Sequence, residues 1–93
     1  MDNLEELIEI FAKENDKQKV RKLFSEILTP AELTDISKRW YLMKEIYKGK
    51  AQRTIAKEME ISLCRITRGS KILKNQDSEF RKILSDMFDE SHI

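Results

Sequence analysis

Residues 52–74 read Gln-Arg-Thr-Ile-Ala-Lys-Glu-Met-Glu-Ile-Ser-Leu-Cys-Arg-Ile-Thr-Arg-Gly-Ser-Lys-Ile-Leu-Lys and decide the fold that we expect for this chain. Their apolar residues recur at helical spacing, because Ile55 and Met59 are four positions apart and Ile66 and Leu73 are seven apart. Between the two sets, Ser62 is a good N-cap for a second helix. The segment is therefore predicted to form a helix, a tight turn and a second helix.

The turn departs from the common pattern at one position. Many such turns have glycine after the first helix, whereas this chain has Glu60. A residue with a side chain must either accept a left-handed backbone there, at some cost, or shape the turn differently. Ile61 is expected to plug the turn from the inside.

Cations gather on the same part of the chain. Residues 38–74 carry a net charge of +8, whereas residues 1–37 carry −4 and residues 75–93 carry −3, and the whole chain has a formal charge of +1. Clustered cations form an electrostatic footprint for phosphate. A solvated charged face is the alternative, but the coincidence of the charge with the predicted turn favours nucleic acid.

Composition favours a single all-helical domain over residues 1–93. Two glycines and one proline are too few for a β protein with many turns. The single cysteine can form neither an internal disulfide nor a metal cluster, which fits a reducing cytoplasm. The first residues are acidic where a secretory signal is basic, and no apolar run approaches membrane-spanning length. We therefore expect a cytoplasmic protein without a membrane segment.

Nothing in the sequence predicts an enzyme, a metal site or a cofactor. There are no paired carboxylates at catalytic spacing and no glycine-rich loop for phosphate. Cys64 has no neighbouring histidine or acid that would activate it, so a redox or catalytic role is not expected.

Capping signals predict about six helices. Asp2 or Asn3 and then Asp16 begin the first two helices, two more lie in residues 52–74, and the last begins near Asp77 or Ser78. The tail from residue 90 to residue 93 is expected to fray.

The third helix has the clearest boundaries. Thr29 is its N-cap, Pro30 takes the first helical position, and Glu32 completes a capping box. Gly49 is expected to end the helix.

The last helix is expected to point five apolar side chains inward: Phe80, Ile83, Leu84, Met87 and Phe88. The first two helices carry more large apolar side chains than a short bundle can cover, namely Leu4, Leu7, Phe11, Val20, Leu23, Phe24 and Ile27. A homodimer with a shared core would cover the side chains of these two helices. Two DNA-reading helices per duplex also favour a dimer.

Together these residues resemble the tryptophan repressor family. Order and spacing agree from Leu28 to Lys74, with about one residue missing near Lys50-Ala51, whereas the amino-terminal helices agree only in character. The segments that carry the resemblance are Leu28-Thr29-Pro30, Lys38-Arg39, Gly49, Gln52-Arg53, Ile66-Thr67-Arg68-Gly69-Ser70 and Leu73-Lys74.

The resemblance implies an all-α, six-helix, intertwined homodimer with a helix-turn-helix motif at about residues 52–74. Such a protein represses transcription by binding double-stranded operator DNA, here of genes for tryptophan biosynthesis or transport. L-tryptophan would act as co-repressor, because it binds the DNA-competent arrangement better than the alternative.

The resemblance also implies a tryptophan site. Arg39 and Arg68 would hold the indole ring between two guanidinium planes. Arg68 would pair with the ligand carboxylate, helped by the hydroxyl of Thr29 from the other subunit. The alternatives are a salt bridge of Arg39 with Glu32 or Asp35, and a plain phosphate contact of Arg68.

Four further residues complete this implied site. Backbone carbonyls near Glu26 and Leu28 of the other subunit would accept from the ammonium group, and Gly69 would leave room for the ring. Ile72 stands where the best-known members have a serine that helps to hold the ligand amino group, so the preference for L-tryptophan over an indole analogue is left open.

The positions that match the family predict nine DNA contacts: Gln52, Arg53, Ala56, Leu63, Cys64, Arg65, Thr67, Lys71 and Lys74. Arg53 is expected to reach a guanine edge. Arg65, Thr67 and Lys74 are expected to contact phosphate. Leu63 and Cys64 either contact thymine methyl groups or pack against the turn.

Two other functions stay open at this point. One is a DNA-binding module of the same fold without a small-molecule switch, similar to a replication-initiator or sigma-like reader. The other is an interaction protein whose basic face binds RNA or an acidic partner.

Overall fold

The computed structural model describes residues 2–89, and this part of the chain contains helices and no strand. Six α-helices follow one another, and a turn of π-helix over Ser85–Asp89 directly continues the last. Their bounds are α1 (Asn3–Lys13), α2 (Lys17–Ile27), α3 (Pro30–Tyr47), α4 (Gln52–Met59), α5 (Leu63–Lys74) and α6 (Glu79–Leu84). The all-α prediction is confirmed, and the tail expected to fray lies outside the described residues.

The predicted caps fix where the helices begin. The Asp2 carboxylate accepts from the Leu4 amide at 2.9 Å, and the Asp16 carboxylate accepts from the Gln18 amide at 2.9 Å. The Ser78 hydroxyl accepts from the amide of Arg81 at 3.2 Å. Each cap satisfies an amide of the first turn that has no partner within its own helix.

Helix α3 is capped at both ends by residues that flank it. The Thr29 amide donates to Glu32 Oε1 at 2.9 Å, and the Glu32 amide donates to Thr29 Oγ1 at 3.1 Å, which is the predicted capping box. At the other end, Gly49 has a φ of +92°, and the Lys50 amide donates to the carbonyl of Glu45 at 3.1 Å. This pattern is a Schellman motif, so Gly49 ends the helix as expected.

The chain divides into two compact units, one ending at Asp35 and the other beginning at Ile36. In the first unit, no residue of α1 or α2 is buried. The Phe11 and Phe24 rings meet at a centroid distance of 5.0 Å, but Leu4 is 61% exposed and Ile27 is 54% exposed. The apolar stripes of these two helices are therefore largely uncovered in a single chain.

The second unit has a buried core. Leu42, Ile55 and Ile66 form it, and four partly buried residues pack against it: Ile46, Ala56, Met59 and Ile61. Leu73 of α5 and Leu84 of α6 are also buried. The core therefore joins the carboxyl-terminal part of α3 to the helix pair of residues 52–74.

The inward orientation expected for the last helix is only partly correct. Leu84 is fully buried and Phe88 is half-buried, whereas Phe80, Ile83 and Met87 are exposed. Phe80 meets the Trp40 ring at a centroid distance of 5.6 Å, but about half of each of the three side chains stays exposed. A hydrogen bond connects the π-helical turn to α3, since the Tyr47 hydroxyl donates to Asp89 Oδ2 at 2.6 Å.

Within residues 2–89, no helix has the length and apolar character that crossing a bilayer requires. The single domain predicted for residues 1–93 stays a prediction.

Candidate functional site

The connection between α4 and α5 is short and adopts a defined conformation. Glu60 has φ 54° and ψ 44°, so the left-handed alternative is the one that this chain adopts. The Ile61 amide donates to the Ala56 carbonyl at 3.2 Å, and the Ser62 hydroxyl accepts from the Arg65 amide at 3.4 Å. A left-handed residue with a side chain costs about 1–2 kcal/mol, which the burial around Ile61 helps to offset.

The inner face of α5 holds the helix closely against α3. Ile66 is fully buried, and Gly69 lies in the same face. A Cβ atom at Gly69 would lie 3.3 Å from Ile46 Cδ1 and 3.6 Å from Leu42 Cδ2. The missing side chain of Gly69 therefore lets α3 approach α5, and its predicted role beside a ligand ring stays a prediction.

The outer face of α5 is cationic. The helix has no acidic residue, and four basic side chains are exposed along it: Arg65, Arg68, Lys71 and Lys74. At its start, Leu63 is 51% exposed and Cys64 is exposed. The Thr67 hydroxyl is also exposed and donates to the Leu63 carbonyl at 2.8 Å. This face combines positive charge with apolar groups at one end, which suits phosphates and base edges.

Helix α4 begins without a side-chain cap. Its N-cap residue is Ala51, which makes no side-chain hydrogen bond to the first turn. Amides at such a helix start favour an anionic partner. Gln52 and Arg53 are exposed in that turn. Eight of the nine predicted DNA contacts are therefore exposed, and Ala56 differs because it is half-buried against the core.

The seven residues predicted for tryptophan are divided between the two units. Glu26, Leu28 and Thr29 precede Asp35, and Arg39, Arg68, Gly69 and Ile72 follow it. Thr29 Oγ1 serves as a helix cap, and the Glu26 carboxylate lies 4.0 Å from Lys22 Nζ. Arg39 and Arg68 are both exposed. Assembly of these residues into one pocket stays a prediction.

Arg68 and Ile72 border an open groove of about 540 Å³. Its other lining residues are Lys71, Asn75, Ser78, Glu79 and Phe80. Asn75 and the groove residues at the start of α6 were not predicted as part of a site. The spacing of Arg68, Ile72 and Asn75 could have predicted the groove. They are four and then three positions apart, which puts them on one side of α5 and its C-cap.

An ion pair beside α4 was also not predicted. Lys50 Nζ lies 2.8 Å from Glu58 Oε2. The hydrogen bond to Glu58 raises the pKa of Lys50 above its ordinary value, burial opposes this increase, and the charge of Glu45 adds to it. In turn, the hydrogen bond to Glu45 raises the pKa of Tyr41.

Metal binding finds no support in the described residues, since residues 2–89 contain no group of three or more His, Cys, Asp or Glu side chains placed to hold an ion.

Comparison with known proteins identifies one family. A Trp operon repressor homolog of Chlamydia trachomatis serovar L2 is 35% identical over 66 residues, which cover 70% of each chain. A Trp operon repressor homolog of Vibrio campbellii is 25% identical over 87 residues, which cover 92% of this chain and 87% of the relative. No solved structure matches significantly. Residues 2–88 match the family described as Trp repressor protein, and the chain therefore belongs to the Trp repressor family.

Proposed function

We propose that this protein is a sequence-specific DNA-binding transcriptional repressor that acts as a homodimer with L-tryptophan as co-repressor. The observation that carries the proposal is the cationic outer face of α5 in a member of the Trp repressor family. Its inner face is held by Ile66, Gly69 and Leu73, so the basic side chains project from a fixed support. A rigid helix of this kind can present several contacts to a duplex at once.

In this proposal, α4, residues 60–62 and α5 form a helix-turn-helix that reads DNA. Arg53 contacts a base edge, whereas Arg65, Thr67 and Lys74 contact phosphates and set the register. Leu63 is exposed at the start of α5, where an apolar side chain can meet a thymine methyl group. The charge of +8 over residues 38–74 supplies attraction to any duplex, and the base contacts supply the preference.

A homodimer is supported by the uncovered apolar surface. The stripes of α1 and α2 contain no buried residue, and Phe80, Ile83 and Met87 are exposed after α5. Exposed apolar side chains in such number are typical of a protein interface. A second copy would also supply the second DNA-reading helix that a duplex of two half-sites requires.

L-tryptophan as the ligand is supported by residue types and by the names of the relatives. Arg39 and Arg68 offer two guanidinium groups for an aromatic ring and a carboxylate. The groove beside Arg68 has a volume within the usual range for small-molecule sites, about 300–1,000 Å³. Relatives carry the name Trp operon repressor homolog, so the proposed targets are genes of tryptophan biosynthesis or transport.

A second candidate is the same DNA reader without a small-molecule switch. Ile72 favours it, because this half-buried apolar side chain lines the groove beside Arg68 and cannot hydrogen-bond an ammonium group. Both candidates predict the same DNA contacts, and they differ only in their response to amino acids.

Selection from a pool of randomised 30-base-pair duplexes tests both candidates. The protein is mixed with the pool at fixed salt, with and without L-tryptophan, and bound duplexes are sequenced over several rounds. A shared motif that is enriched only with L-tryptophan supports the co-repressor proposal. A motif enriched equally in both arms supports the switch-free reader, and no enrichment in either arm contradicts sequence-specific binding.

Calorimetry then tests the ligand site directly. L-tryptophan is titrated into the protein and into the Arg39→Ala variant, with L-phenylalanine as the comparison ligand. We expect one site per chain in the wild type and at least a tenfold weaker site in the variant. Equal binding by both proteins would contradict the assignment of Arg39.

A further inference from the structure

Acidic residues are few in the cationic segment, and their placement is not even. Residues 38–74 contain only three glutamates. Glu58 contacts Lys50 directly at 2.8 Å, and Glu45 acts on the same lysine through its charge. Two of the three acidic residues therefore act on one cation, Lys50, whereas α5 contains no acidic residue.

The paired lysine occupies a particular place in the chain. Lys50 follows the left-handed Gly49 and precedes Gln52, the first residue of α4, by two positions. Its partner Glu58 lies in the last turn of the same helix. The pair therefore connects the segment that leaves α3 to the far end of α4, and it does so beside a helix start that has no side-chain cap.

The pair is partly sheltered from solvent on the lysine side. The Lys50 side chain is 32% exposed, whereas that of Glu58 is 51% exposed. Lys50 also lies within the field of Glu45, whose carboxylate is hydrogen-bonded to Tyr41 of α3. Glu58 thus holds the Lys50 ammonium in a direct ion pair, although Lys50 stands next to the predicted DNA contacts Gln52 and Arg53 in the sequence.

We propose that the Lys50–Glu58 ion pair increases DNA specificity, because Glu58 keeps Lys50 from contacting DNA phosphates. The inference rests on the proposed DNA-binding function. A free ammonium beside Gln52 would bind phosphate on any duplex, and phosphate contacts add affinity without reading sequence. Glu58 therefore lowers binding to non-specific DNA more than binding to the selected sequence.

Salt dependence distinguishes a withheld lysine from one that contacts DNA. Each phosphate neutralised by a lysine contributes about 0.9 to the slope of log affinity against log salt concentration. The test measures this slope by fluorescence anisotropy on a random-sequence 30-base-pair duplex and on the selected duplex, for wild type, Lys50→Gln, Glu58→Gln and the double variant. Circular dichroism confirms that every variant is folded.

Glu58→Gln is expected to bind the random-sequence duplex more tightly, with a slope steeper by up to about 0.9, and to lose several-fold in its preference for the selected duplex. Lys50→Gln is expected to keep the wild-type slope, because Lys50 contacts no phosphate in the wild type. The double variant is expected to match Lys50→Gln. Glu60→Gln is the matched control, since it removes the same charge two residues away and should leave the slope unchanged.

Two results would overturn the inference. A slope reduced by about 0.9 in Lys50→Gln would show that Lys50 already contacts phosphate. A Glu58→Gln slope equal to that of wild type would show that Glu58 withholds nothing. These results differ from those expected if the protein is not a sequence-specific DNA-binding protein. In that case wild type itself would bind no duplex or would show no preference for the selected sequence.

Discussion

The two units of this chain form helices equally well but bury them differently. Helices α1 and α2 have carboxylate caps and regular apolar stripes, as clear as any in the second unit, yet none of their residues is buried. In the second unit, Ile55, Ile66 and Leu84 are fully buried. Local signals therefore decide where helices form, whereas a core requires surfaces that face one another.

Charge divides the chain in a similar way. The first 37 residues carry −4, and residues 38–74 carry +8. An acidic segment with uncovered apolar stripes is suited to joining another copy, and a basic segment with its own core is suited to DNA. In the proposed function, the first unit would contribute mainly to assembly and the second would supply the DNA contacts. Four experiments test that division.

The largest expected effect is a loss of stability on altering the core of the second unit. Ile66→Ala removes a fully buried side chain, so it should lower the free energy of unfolding by about 2–5 kcal/mol in urea titrations. Leu63→Ala is the matched control on the same helix, and because Leu63 is half exposed it should cost less than about 1 kcal/mol. Equal costs at both positions would contradict a self-contained core.

The second effect is in the apolar stripe of α1. Ile8 is exposed in a single chain, and Ile8→Asp should weaken the proposed dimer at least tenfold, which is about 1.4 kcal/mol. Sedimentation velocity over a range of concentrations measures the change. Glu9→Gln alters the polar side of the same helix and should leave the dimer intact. A wild type that stays monomeric would refute the role given to the first unit.

The third effect concerns DNA contact by the second unit. Arg53→Ala should cost about 1–3 kcal/mol on the selected duplex and relax the base preference at one position. Lys74→Ala should weaken every duplex alike and reduce the salt slope by about 0.9. Both are measured by anisotropy on selected and random-sequence duplexes. Indistinguishable profiles for the two variants would count against a base-reading role for Arg53.

The smallest effect tests whether local structure is alike in the two units. Thr29→Ala removes the cap of α3 in the first unit, and Ser62→Ala removes the cap of α5 in the second. Each should cost about 0.5–2 kcal/mol in urea unfolding, with the longer Ser62 bond toward the low end. A far larger loss at Thr29 would mean that more than a cap depends on its hydroxyl.

Much of the fold was predictable because its determinants lie close together in sequence. The caps at Asp2, Asp16 and Ser78, like the end of α3 at Gly49, depend on residues within a few positions of one another. The left-handed conformation of Glu60 was not predictable, since a residue with a side chain could either adopt it or change the shape of the turn. The exposure of Phe80 was not predicted, because an apolar stripe shows that a surface needs covering but not which part of the protein covers it.

The candidate site was predictable to the extent that helical spacing governs it. Arg65, Arg68 and Lys71 are three positions apart, so helical spacing puts them on one face, and the structure has all three exposed. The ion pair of Lys50 with Glu58 was missed because its members are eight positions apart and meet only after the chain has turned from α3 into α4. No spacing rule for a single helix covers such a contact.

The most direct test of the central claim is the mass of the protein on its DNA. Sedimentation velocity with a labelled selected duplex, with and without L-tryptophan, gives both stoichiometry and ligand dependence in one measurement. We predict two chains on one duplex, with the complex lost or much weakened when L-tryptophan is removed. One chain per duplex, or a complex indifferent to L-tryptophan, would contradict the proposed ligand-gated dimeric repressor.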